Sequence, residues 1–397
     1  MTTTGCVIAG GGPAGMMCGY ILARSGVDVI VLEKHNDFLR DFRGDTVHPS
    51  TLMVMDELGL LDEFLKLPHE QVTKAAAKIG GNLYGVADTT HLPVRCKFIA
   101  LMPQWDFLNF LVAKGKALPH FNVMMEAKAT GLVRDNGRVT GVSVTTNAGD
   151  MQIDADLVIG ADGRHSTLRE TSNLRVNDQG SPIDVLWMRI PHHAGDDRAV
   201  LGKVANGAIF VMIYRGDYWQ CALVIAKGGF DAIKMQGIEA FRARIAQLAE
   251  RDHADELKTW DDVKLLTVTV DRLETWHEPG LLFIGDAAHA MSPVGGVGIN
   301  LAIQDAVAAS RILAPALRAK HVTDADLAQV QKRRLWPTRI IQTGQVVVQD
   351  RILQPVIAGK VNVSVPWILK LMQHLTVLQR IPARIIGLGI RPEHVSF

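Results

Sequence analysis

The sequence predicts an α/β protein in which a domain built on a parallel sheet is interleaved with a separate β-sheet domain and followed by helices. Short apolar strands that end in glycine turns and lead into helical stretches recur along the chain. Between them lie runs such as AIFVMIY and YWQCALVIA, which predict a second sheet. The predicted units are residues 1–70, 100–175 and 276–330 for the first domain, 71–99 and 176–275 for the second sheet, and 331–397 for the helical region.

The composition describes an ordinary globular protein. The chain has 397 residues, enough for a large core and two lobes. Its 42 Lys and Arg nearly balance its 41 Asp and Glu, so the overall charge gives no indication of nucleic acid or an anionic membrane as a partner. No apolar run is long enough to predict a spanning helix, and MTTTGCVIAG lacks the features of a secretory signal. We therefore predict a cytoplasmic protein.

The cysteines predict neither disulfides nor a metal site. They are scattered without CxxC spacing, and no HExxH or EF-hand loop is present. Reduced, buried thiols are the expected state in the cytoplasm. The four positions are Cys6, Cys18, Cys96 and Cys221.

The N-terminal stretch CVIAGGGPAGMMCGYILARSGVDVIVLEK predicts a dinucleotide site. A strand over residues 7–9 leads into the G-x-G-x-x-G turn of Gly10, Gly12 and Gly15, followed by a helix over residues 16–24. The glycines allow a tight turn, a close approach of pyrophosphate and close helix packing, while the helix N-terminus attracts the phosphates. Glu33 follows a second strand, where a carboxylate can bind ribose hydroxyls. This stretch alone does not distinguish NAD from FAD.

Two further strand ends carry the same kind of turn. DLVIGADGR ends in Asp162-Gly163, and LLFIGDAAHAMSPVGGVGIN contains Gly285-Asp286 followed by a glycine-rich turn. An isolated DG dipeptide indicates only a turn. A carboxylate at a strand end, followed by a stretch of backbone without side chains, indicates a polar ligand that approaches the backbone closely.

The three motifs in this order resemble those of the single-component FAD-dependent monooxygenases typified by para-hydroxybenzoate hydroxylase. The resemblance covers the whole chain and implies a Rossmann-like FAD-binding domain with tightly but non-covalently bound FAD. It implies that Asp286 binds a ribitol hydroxyl, that the glycine-rich turn lies against the isoalloxazine ring, and that a helix near Gly298 directs its N-terminus at the flavin. A positive helix end stabilises the anionic reduced flavin.

The resemblance implies further FAD contacts, residue by residue. Arg43 and Gln104 would reach the pyrophosphate, and Ala129 would meet the adenine through its backbone. Arg164 and Arg169 would shape a groove for the nicotinamide cofactor, although Arg169 is equally compatible with a structural ion pair. The full predicted cofactor set is Gly10, Gly12, Pro13, Ala14, Gly15, Glu33, Lys34, Arg43, Gln104, Ala129, Asp162, Asp286, Pro293, Gly296, Gly298, Ile299 and Asn300.

The substrate pocket is predicted on strands of the second sheet, which in the family face the flavin. Residues two apart on a strand share a face of the sheet. Trp187 and Arg189 are therefore expected on one face of their strand, and Met212 and Tyr214 on one face of theirs. An aromatic residue on a sheet is more often core than ligand contact. No residue can be assigned as the catalytic acid or base. The candidates are Trp187, Arg189, Met212, Tyr214, Tyr218, Gln220 and His48.

The predicted activity is that of an NAD(P)H-dependent FAD monooxygenase. The resemblance implies that NAD(P)H binds transiently and reduces the flavin, that O2 then gives a C4a-hydroperoxide, and that one oxygen hydroxylates a small aromatic or electron-rich substrate. Lys34 after Glu33 favours a 2′-phosphate, or is simply solvated. The alternatives are a flavin-dependent reductase or halogenase of the same superfamily, or a non-catalytic flavin-binding protein. The Trp187–Pro191 stretch lacks the first tryptophan of the halogenase W-x-W-x-I-P box.

The C-terminal helical region has an apolar face, seen in LKLMQHLTVLQRI. Packing onto the body or onto a second subunit is the expected explanation, with a monomer or a homodimer as the assembly. A peripheral membrane face is the less supported alternative.

Overall fold

A computed structural model describes residues 2–39, 46–193, 201–205, 207–250, 254–359, 365 and 367–397. The strands are β1 (Thr2–Ala9), β2 (Val29–Leu32), β3 (Thr46–Val47), β4 (Glu70–Val72), β5 (Lys74–Ile79), β6 (Asn82–Asp88), β7 (Ile99–Leu101), β8 (Phe121–Met124), β9 (Lys128–Asp135), β10 (Arg138–Thr146), β11 (Gly149–Gly160), β12 (Val176–Asp178), β13 (Ile183–Pro191), β14 (Leu201–Ala205), β15 (Ala208–Tyr214), β16 (Tyr218–Ala226), β17 (Lys264–Leu266), β18 (Asp271–Leu273), β19 (His277–Glu278) and β20 (Leu281–Phe283).

The helices alternate with these strands in the first part of the chain and dominate its end. They are α1 (Pro13–Arg24), α2 (Pro49–Glu57), α3 (Leu61–Phe64), α4 (Gln104–Gly115), α5 (Thr167–Glu170), α6 (Phe230–Met235), α7 (Ile238–Ala249), α8 (Gly298–Arg318), α9 (Asp324–Val348), α10 (Gln354–Ile357), α11 (Trp367–His374) and α12 (Arg380–Gly387). Short 3₁₀ turns cover Gly285–Ala287 and Val294–Gly296, and a π-helical turn covers Gln349–Leu353.

The central sheet of the first unit has eight strands. Its main path runs β19-β20-β11-β1-β2-β8, and β10 and β9 extend from β11. The contacts from β20 through β11, β1 and β2 to β8 are all parallel, and β2 and β20 are completely buried. Parallel strands that are covered on both faces consist of continuous apolar residues. This explains the sequences VIVL of β2 and LLF of β20. Helix α1 packs against α8 and α4 beside this sheet.

The second sheet has seven strands in the order β17-β13-β16-β15-β14-β5-β6. Strands from residues 74–88 therefore join strands from residues 183–266 in one sheet, although about a hundred residues of the first unit separate them in sequence. A third, smaller sheet has the order β3-β7-β4. The predicted fold class, an α/β domain interleaved with a β-sheet domain and followed by helices, is confirmed.

The two faces of the second sheet pack against different elements. One face carries Phe210, Met212 and Trp219, which form a core with α6 and α7 through residues such as Phe241 and Ile245. The other carries Val185, Trp187 and Ala222, which pack with Val268 and with Leu353 and Ile357 from the π-helical turn and α10. Strand alternation explains this division.

The C-terminal segment wraps around both units. Helix α9 starts at a capping box formed by Thr323 and Asp326, and α11 and α12 both pack on β6. Among the described residues, one stretch, Val294–Arg318, is long and apolar enough to cross a membrane, but 78% of its most apolar window is buried inside the protein. It is the core helix α8.

Candidate active site

The first glycine turn has the geometry that close backbone packing requires. Gly10 has φ +109°, and a Cβ there would lie 2.3 Å from the carbonyl oxygen of Ala161. A Cβ at Gly15 would lie 2.0 Å from the carbonyl oxygen of Gly10. Gly12 differs, because a Cβ there would meet nothing within 4 Å in the part of the chain that the structure describes. Gly12 is the N-cap of α1 and has no side-chain cap, so the open space faces N–H groups suited to a phosphate.

Glu33 lies beside this turn, as predicted for a ribose-binding carboxylate. The side chain is buried, and its Oε2 accepts a hydrogen bond from the backbone N–H of Gly11 at 3.2 Å while Oε1 accepts one from that of His35 at 3.0 Å. The two bonds fix the carboxylate at the end of β2. Lys34 next to it is exposed.

The second motif is in direct contact with the first. The backbone N–H of Ala161 donates to the carbonyl oxygen of Ala9 at 2.7 Å, so the turn after β11 lies against the turn after β1. Asp162 accepts a hydrogen bond from the N–H of Leu168 through Oδ2, whereas its Oδ1 is buried without a partner among the described residues. Burial raises the pKa of Asp162. A polar ligand here would satisfy the unpaired oxygen.

The third motif completes the same edge of the sheet. β20 pairs with β11, and the N–H of Ile284 donates to the carbonyl oxygen of Gly160 at 3.0 Å. Gly285 has φ +60°, and a Cβ there would lie 3.0 Å from the Cβ of Ala14 at the start of α1. The ends of the neighbouring strands β20, β11 and β1 therefore bring all three glycine turns together.

Asp286 and Arg164 join the second and third motifs. Asp286 Oδ2 lies 3.1 Å from Arg164 Nη2, and both side chains are partly exposed. Arg169, by contrast, is an ion-pair residue: its Nη1 lies 3.2 Å from Asp271 Oδ1 and also donates to the carbonyl oxygen of Ala287. Two roles were considered for Arg169, in a nicotinamide-cofactor groove and in a structural ion pair. The structure shows the ion pair. The Arg164–Asp286 contact was not predicted from the sequence, since residues 122 apart gave no local signal.

The glycine-rich turn lies against β3. The hydroxyl of Thr46 donates to the carbonyl oxygen of Gly296 at 3.1 Å, and a Cβ at Gly296 would lie 2.8 Å from that hydroxyl oxygen. The turn starts at Pro293, whose carbonyl oxygen accepts from the N–H of Gly296. Helix α8 then begins at Gly298, as predicted, and no described side chain caps its first N–H groups.

Asn300 fixes the start of α8 to the start of α2. Its Oδ1 accepts hydrogen bonds from the N–H of His48 at 3.1 Å and from the hydroxyl of Thr51 at 2.7 Å. Ile299 is half-buried against the main core. Asn300 and Gln304 line a small cavity of about 30 Å³ between α8, α9 and α12.

His48 is completely buried beside this junction. Its Nδ1 is 2.8 Å from the carbonyl oxygen of Ile386, to which it donates, and Nε2 has no partner among the described residues. Burial lowers the pKa of His48 from 6.5 to about 4. The ring is therefore neutral at pH 7, and Nε2 is a hydrogen-bond acceptor.

A buried ionic cluster, which the sequence did not reveal, lies behind the third motif. Asp305 Oδ2 is 2.5 Å from His289 Nε2, and Asp305 Oδ1 is 2.9 Å from Arg334 Nε. Arg334 also reaches Glu393, which is completely buried. Burial alone would raise the pKa of Asp305, but His289 and Arg334 lower it below its usual value. Four segments that are far apart in sequence build this cluster. The only sequence signal for it is an acidic residue, Asp305, within the apolar pattern of α8.

The remaining predicted cofactor residues are placed as follows. Pro13 and Ala14 form the first turn of α1, and Gln104 is the half-buried first residue of α4. Ala129, on β9, packs at the margin of the main core. Arg43 lies outside the described residues. Among the described residues no group of three or more His, Cys, Asp or Glu side chains could hold a metal ion.

The six sheet candidates divide between two faces. Met212 and Tyr214 are buried in the core beneath α6 and α7. On the opposite face, Arg189 pairs with Gln220 across β13 and β16, and its guanidinium lies 4.7 Å from the ring centre of Tyr218. Trp187 shares that face with Ala222. The structure therefore separates the candidates by strand alternation.

The face that carries Trp187 is turned towards the glycine-rich segment. Gln349, in the π-helical turn that packs on this face, donates hydrogen bonds to the hydroxyls of Ser181 at 3.1 Å and Ser292 at 3.0 Å. Ser292 immediately precedes Pro293. Met212 and Tyr214 consequently point away from the segment that resembles the flavin-binding turn.

Comparison with known proteins agrees with this geometry. The family model described as FAD binding domain matches residues 3–343. The 6-methylpretetramide 4-monooxygenase of Streptomyces rimosus is 32% identical over 370 residues, covering 91% of this chain and 86% of that protein. Rifampicin monooxygenase of Streptomyces venezuelae is 27% identical over 76% of this chain, which spans only 62% of the relative's length.

Among solved structures, pqsL of Pseudomonas aeruginosa, described as a probable FAD-dependent monooxygenase, has a TM-score of 0.76 at 21% identity, covering 90% of this chain and 99% of that chain. The fold and its three converging turns define a flavoprotein of the Rossmann-like class. The chain belongs to the FAD-binding-domain family, and it is a monooxygenase, an enzyme that uses FAD and oxygen.

The residues present fit FAD. Among the described residues, the open space at Gly12 suits a phosphate and the unpaired oxygen of Asp162 suits a polar group. Asp286 presents a partly exposed carboxylate at the end of β20, next to β11. When bound, FAD would supply electron transfer and the activation of O2.

Proposed function

We propose that the protein is an NAD(P)H-dependent hydroxylase of an aromatic substrate. The reaction would combine substrate, O2, NAD(P)H and a proton to give hydroxylated substrate, water and NAD(P)⁺. The 32%-identical relative bears the name of a 6-methylpretetramide 4-monooxygenase, which supports a polycyclic aromatic compound as the substrate class. The proposed location is the cytoplasm, and the proposed assembly is a monomer or homodimer.

The observation that carries this proposal is the meeting of three glycine turns at one sheet edge. The ends of β1, β11 and β20 touch each other through Ala9, Gly160 and Phe283. Such an edge, at the carboxyl ends of parallel strands, is where α/β folds bind nucleotides. Gly12, Glu33 and Asp286 would then hold the pyrophosphate, a ribose and the ribitol chain in that order.

The protein's contribution to the chemistry would be electrostatic. The uncapped N–H groups at the start of α8 present positive partial charge beside the glycine-rich turn. That charge would stabilise a negative charge on a reduced cofactor ring. His48, neutral at pH 7, would accept a hydrogen bond through Nε2 from a nearby ligand or water.

The substrate would bind between this turn and the second sheet. We propose residues 71–99 and 176–275 as the substrate domain, with Trp187, Arg189, Tyr218 and Gln220 on the face towards the pocket. An aromatic wall suits an aromatic substrate, and burial there keeps water from the reacting atoms. Met212 and Tyr214, beneath α6 and α7, would support the sheet from behind.

The test is substrate-stimulated turnover with isotopic oxygen. The FAD-loaded protein is mixed with NADPH or NADH and a panel of phenols, quinone precursors and polycyclic aromatics, including 6-methylpretetramide. Faster NAD(P)H oxidation together with ¹⁸O from ¹⁸O2 in the product supports the proposal. Stimulated oxidation with a reduced product identifies a reductase, halide-dependent chlorination identifies a halogenase, and bound FAD without turnover across the panel argues for a binding protein.

Two variants locate the pocket. Trp187→Ala should raise KM for the accepted substrate at least tenfold and increase hydrogen peroxide release, because the pocket wall is lost. Met212→Leu is the matched control on the other face and should leave both values near those of the parent protein. The proposal for this face fails if the two variants behave alike.

A further inference from the structure

The outer faces of α11 and α12 expose a group of large apolar side chains. Trp367 is 73% exposed, Ile368 and Leu375 are each 50% exposed, and Ile381 is 59% exposed. Large exposed apolar patches on a protein mark a contact with a partner or a membrane. We call the exposed residues of α11, α12 and the turn between them the C-terminal patch: Trp367, Ile368, Leu371, Leu375, Val377, Ile381 and Ile385.

The patch forms one side of the molecule. Both helices pack on β6, so their outward faces point away from that strand. Trp367 and Leu371 on α11 and Leu375 directly after it follow each other at spacings of four and line one face. Met372 is buried on the inner side of α11. On α12, Ala383 and Gly387 are buried, which leaves the opposite face to solvent.

Among the described residues, the charged side chains that residues 367–397 expose are all positive. Lys370, Arg380, Arg384 and Arg391 are exposed within residues 367–397. The only acidic side chain of that segment is Glu393, which is buried. It is neutralised by Arg311, Arg333 and Arg334, with ion-pair distances of 2.6 to 3.3 Å. The exposed surface is therefore both apolar and cationic.

We propose that the C-terminal patch docks the protein on an anionic lipid membrane. An amphipathic surface with tryptophan and leucine beside lysine and arginine lies in the interface of a bilayer, where the apolar groups enter the acyl boundary and the cations meet lipid phosphates. Tryptophan is enriched at the depth of the lipid headgroups, which is where Trp367 at the edge of the patch would lie. The attachment is peripheral, since α11 and α12 each have eight residues.

A second copy of the chain fits this surface less well. A symmetric dimer joins the same patch on both subunits, so it would place Arg380 and Arg384 of one chain against a cationic surface of the other. Like charges that become buried oppose such an association. A negatively charged lipid surface instead complements the charge of the patch.

The test is co-sedimentation of the FAD-loaded, full-length protein with vesicles. Vesicles of phosphatidylcholine and phosphatidylglycerol at 3:1 are compared with phosphatidylcholine alone, at low salt and at 0.5 M NaCl. The protein should partition into the anionic vesicles at least tenfold more than into the neutral ones, with much of the binding lost at high salt because screening weakens the electrostatic attraction. An absence of binding to the anionic vesicles overturns the proposal.

Two double variants test whether vesicle binding depends on positive charge in the C-terminal patch or only on the net charge of the protein. R380E/R384E should lower binding to anionic vesicles at least tenfold, whereas K116E/K258E, which makes the same charge change at exposed residues elsewhere, should lower it less than threefold. FAD content and Tm report that both variants are folded. Equal losses in the two variants contradict a role for the patch.

A third variant tests the apolar part and the rival occupant. W367S/L371S should also weaken vesicle binding, while M235S, at another exposed apolar residue, should not. Light scattering of the same proteins measures the oligomeric state. A dimer that W367S/L371S converts into a monomer, without vesicle binding by the parent protein, would assign the patch to a second copy instead.

Discussion

The backbone N–H of Gly285 donates a hydrogen bond to Oδ2 of Asp305 at 3.1 Å, within the completely buried pair that Asp305 forms with His289. Gly285 is the residue before Asp286, and its φ of +60° sets the direction of that carboxylate. A buried acid on α8 thus positions the turn that is proposed to meet the cofactor. The ionic cluster links this turn to the C-terminal segment through Arg334 and Glu393.

Asp305→Asn should weaken both the fold and FAD binding. The substitution removes the buried charge that pairs with His289 and with Nε of Arg334, although Glu393 still faces Arg334. Breaking a buried ion pair in this way costs about 3–5 kcal/mol in the free energy of unfolding. Urea unfolding and FAD titration measure the two effects. Asp56→Asn, which breaks an exposed pair with Arg95, is the control and should cost under about 1 kcal/mol without changing FAD affinity.

Asp286→Ala should yield protein with little flavin. We expect the FAD Kd to rise at least tenfold, since the carboxylate that would bind the ribitol chain is gone and Arg164 loses its ion-pair partner. The absorbance ratio of the purified protein near 450 and 280 nm measures the flavin content. Asp261→Ala, at an exposed acid of the second unit, serves as the control. A fully yellow, equally active Asp286→Ala protein would contradict the assignment.

Gly12→Ala should separate cofactor binding from folding. A Cβ at this position meets no atom of the described residues within 4 Å, so the Tm of the FAD-free protein should stay within about 2 °C of the parent value. The methyl group would occupy the space proposed for the phosphate, so FAD affinity should fall at least tenfold. Unchanged affinity would show that no ligand approaches Gly12 closely.

Gly344→Ala is the matched glycine substitution. Gly344 lies within α9, where a Cβ also meets nothing within 4 Å. Alanine in a helix interior favours the fold by up to about 1 kcal/mol relative to glycine. The variant should therefore be slightly more stable than the parent in urea and should bind FAD equally well.

His48 should make stability depend on pH between 6.5 and 4. The unfolded chain binds a proton at His48 as pH falls below 6.5, whereas burial lowers the folded pKa to about 4, so stability falls as pH drops through this window. This difference between the folded and unfolded pKa corresponds to about 3 kcal/mol in the free energy of unfolding, at about 1.36 kcal/mol per pKa unit. Urea unfolding at several pH values should show a flatter profile for His48→Asn, whereas the exposed His91→Asn should keep the parent slope.

The thiols should resist modification in the folded protein. Cys6, Cys18, Cys96 and Cys221 are all buried, and burial raises the pKa of Cys18 to about 12. Because the thiolate is the reactive form, a thiol reagent at pH 8 should react slowly with the native protein and quickly in urea. Rapid reaction of a thiol in the native state would contradict this expectation.

Much of the first unit could be predicted because its signals are local. The turn of Gly10, Gly12 and Gly15 needs its glycines for reasons of backbone clash, and the apolar runs VIVL and LLF follow from burial on both faces of a parallel sheet. The boundaries were less accurate: β1 begins at Thr2 rather than Val7, because a polar strand end still pairs with β11. Helix α1 starts at Pro13, a residue that suits a first helical position.

The orientation of the second sheet could not be predicted from the sequence. Period-2 alternation predicted that Met212 and Tyr214 share a face, but it gave no information on which face meets the helices α6 and α7. That choice depends on the register with β16, where Met212 lies opposite Cys221 and Trp187 opposite Ala222. Register between strands is a tertiary property.

The three glycine turns and the strands that lead into them could be read from the amino-acid sequence, because backbone conformation and the burial of apolar runs leave a local pattern. The order of these motifs also carried the resemblance to the family. Only the tertiary structure decided that Asp305, His289, Arg334 and Glu393 form one buried ionic cluster and that Arg164 pairs with Asp286. Charges from distant segments pair only when packing brings them within a few ångströms, because the Coulomb energy depends on distance in space and on burial rather than on separation along the chain.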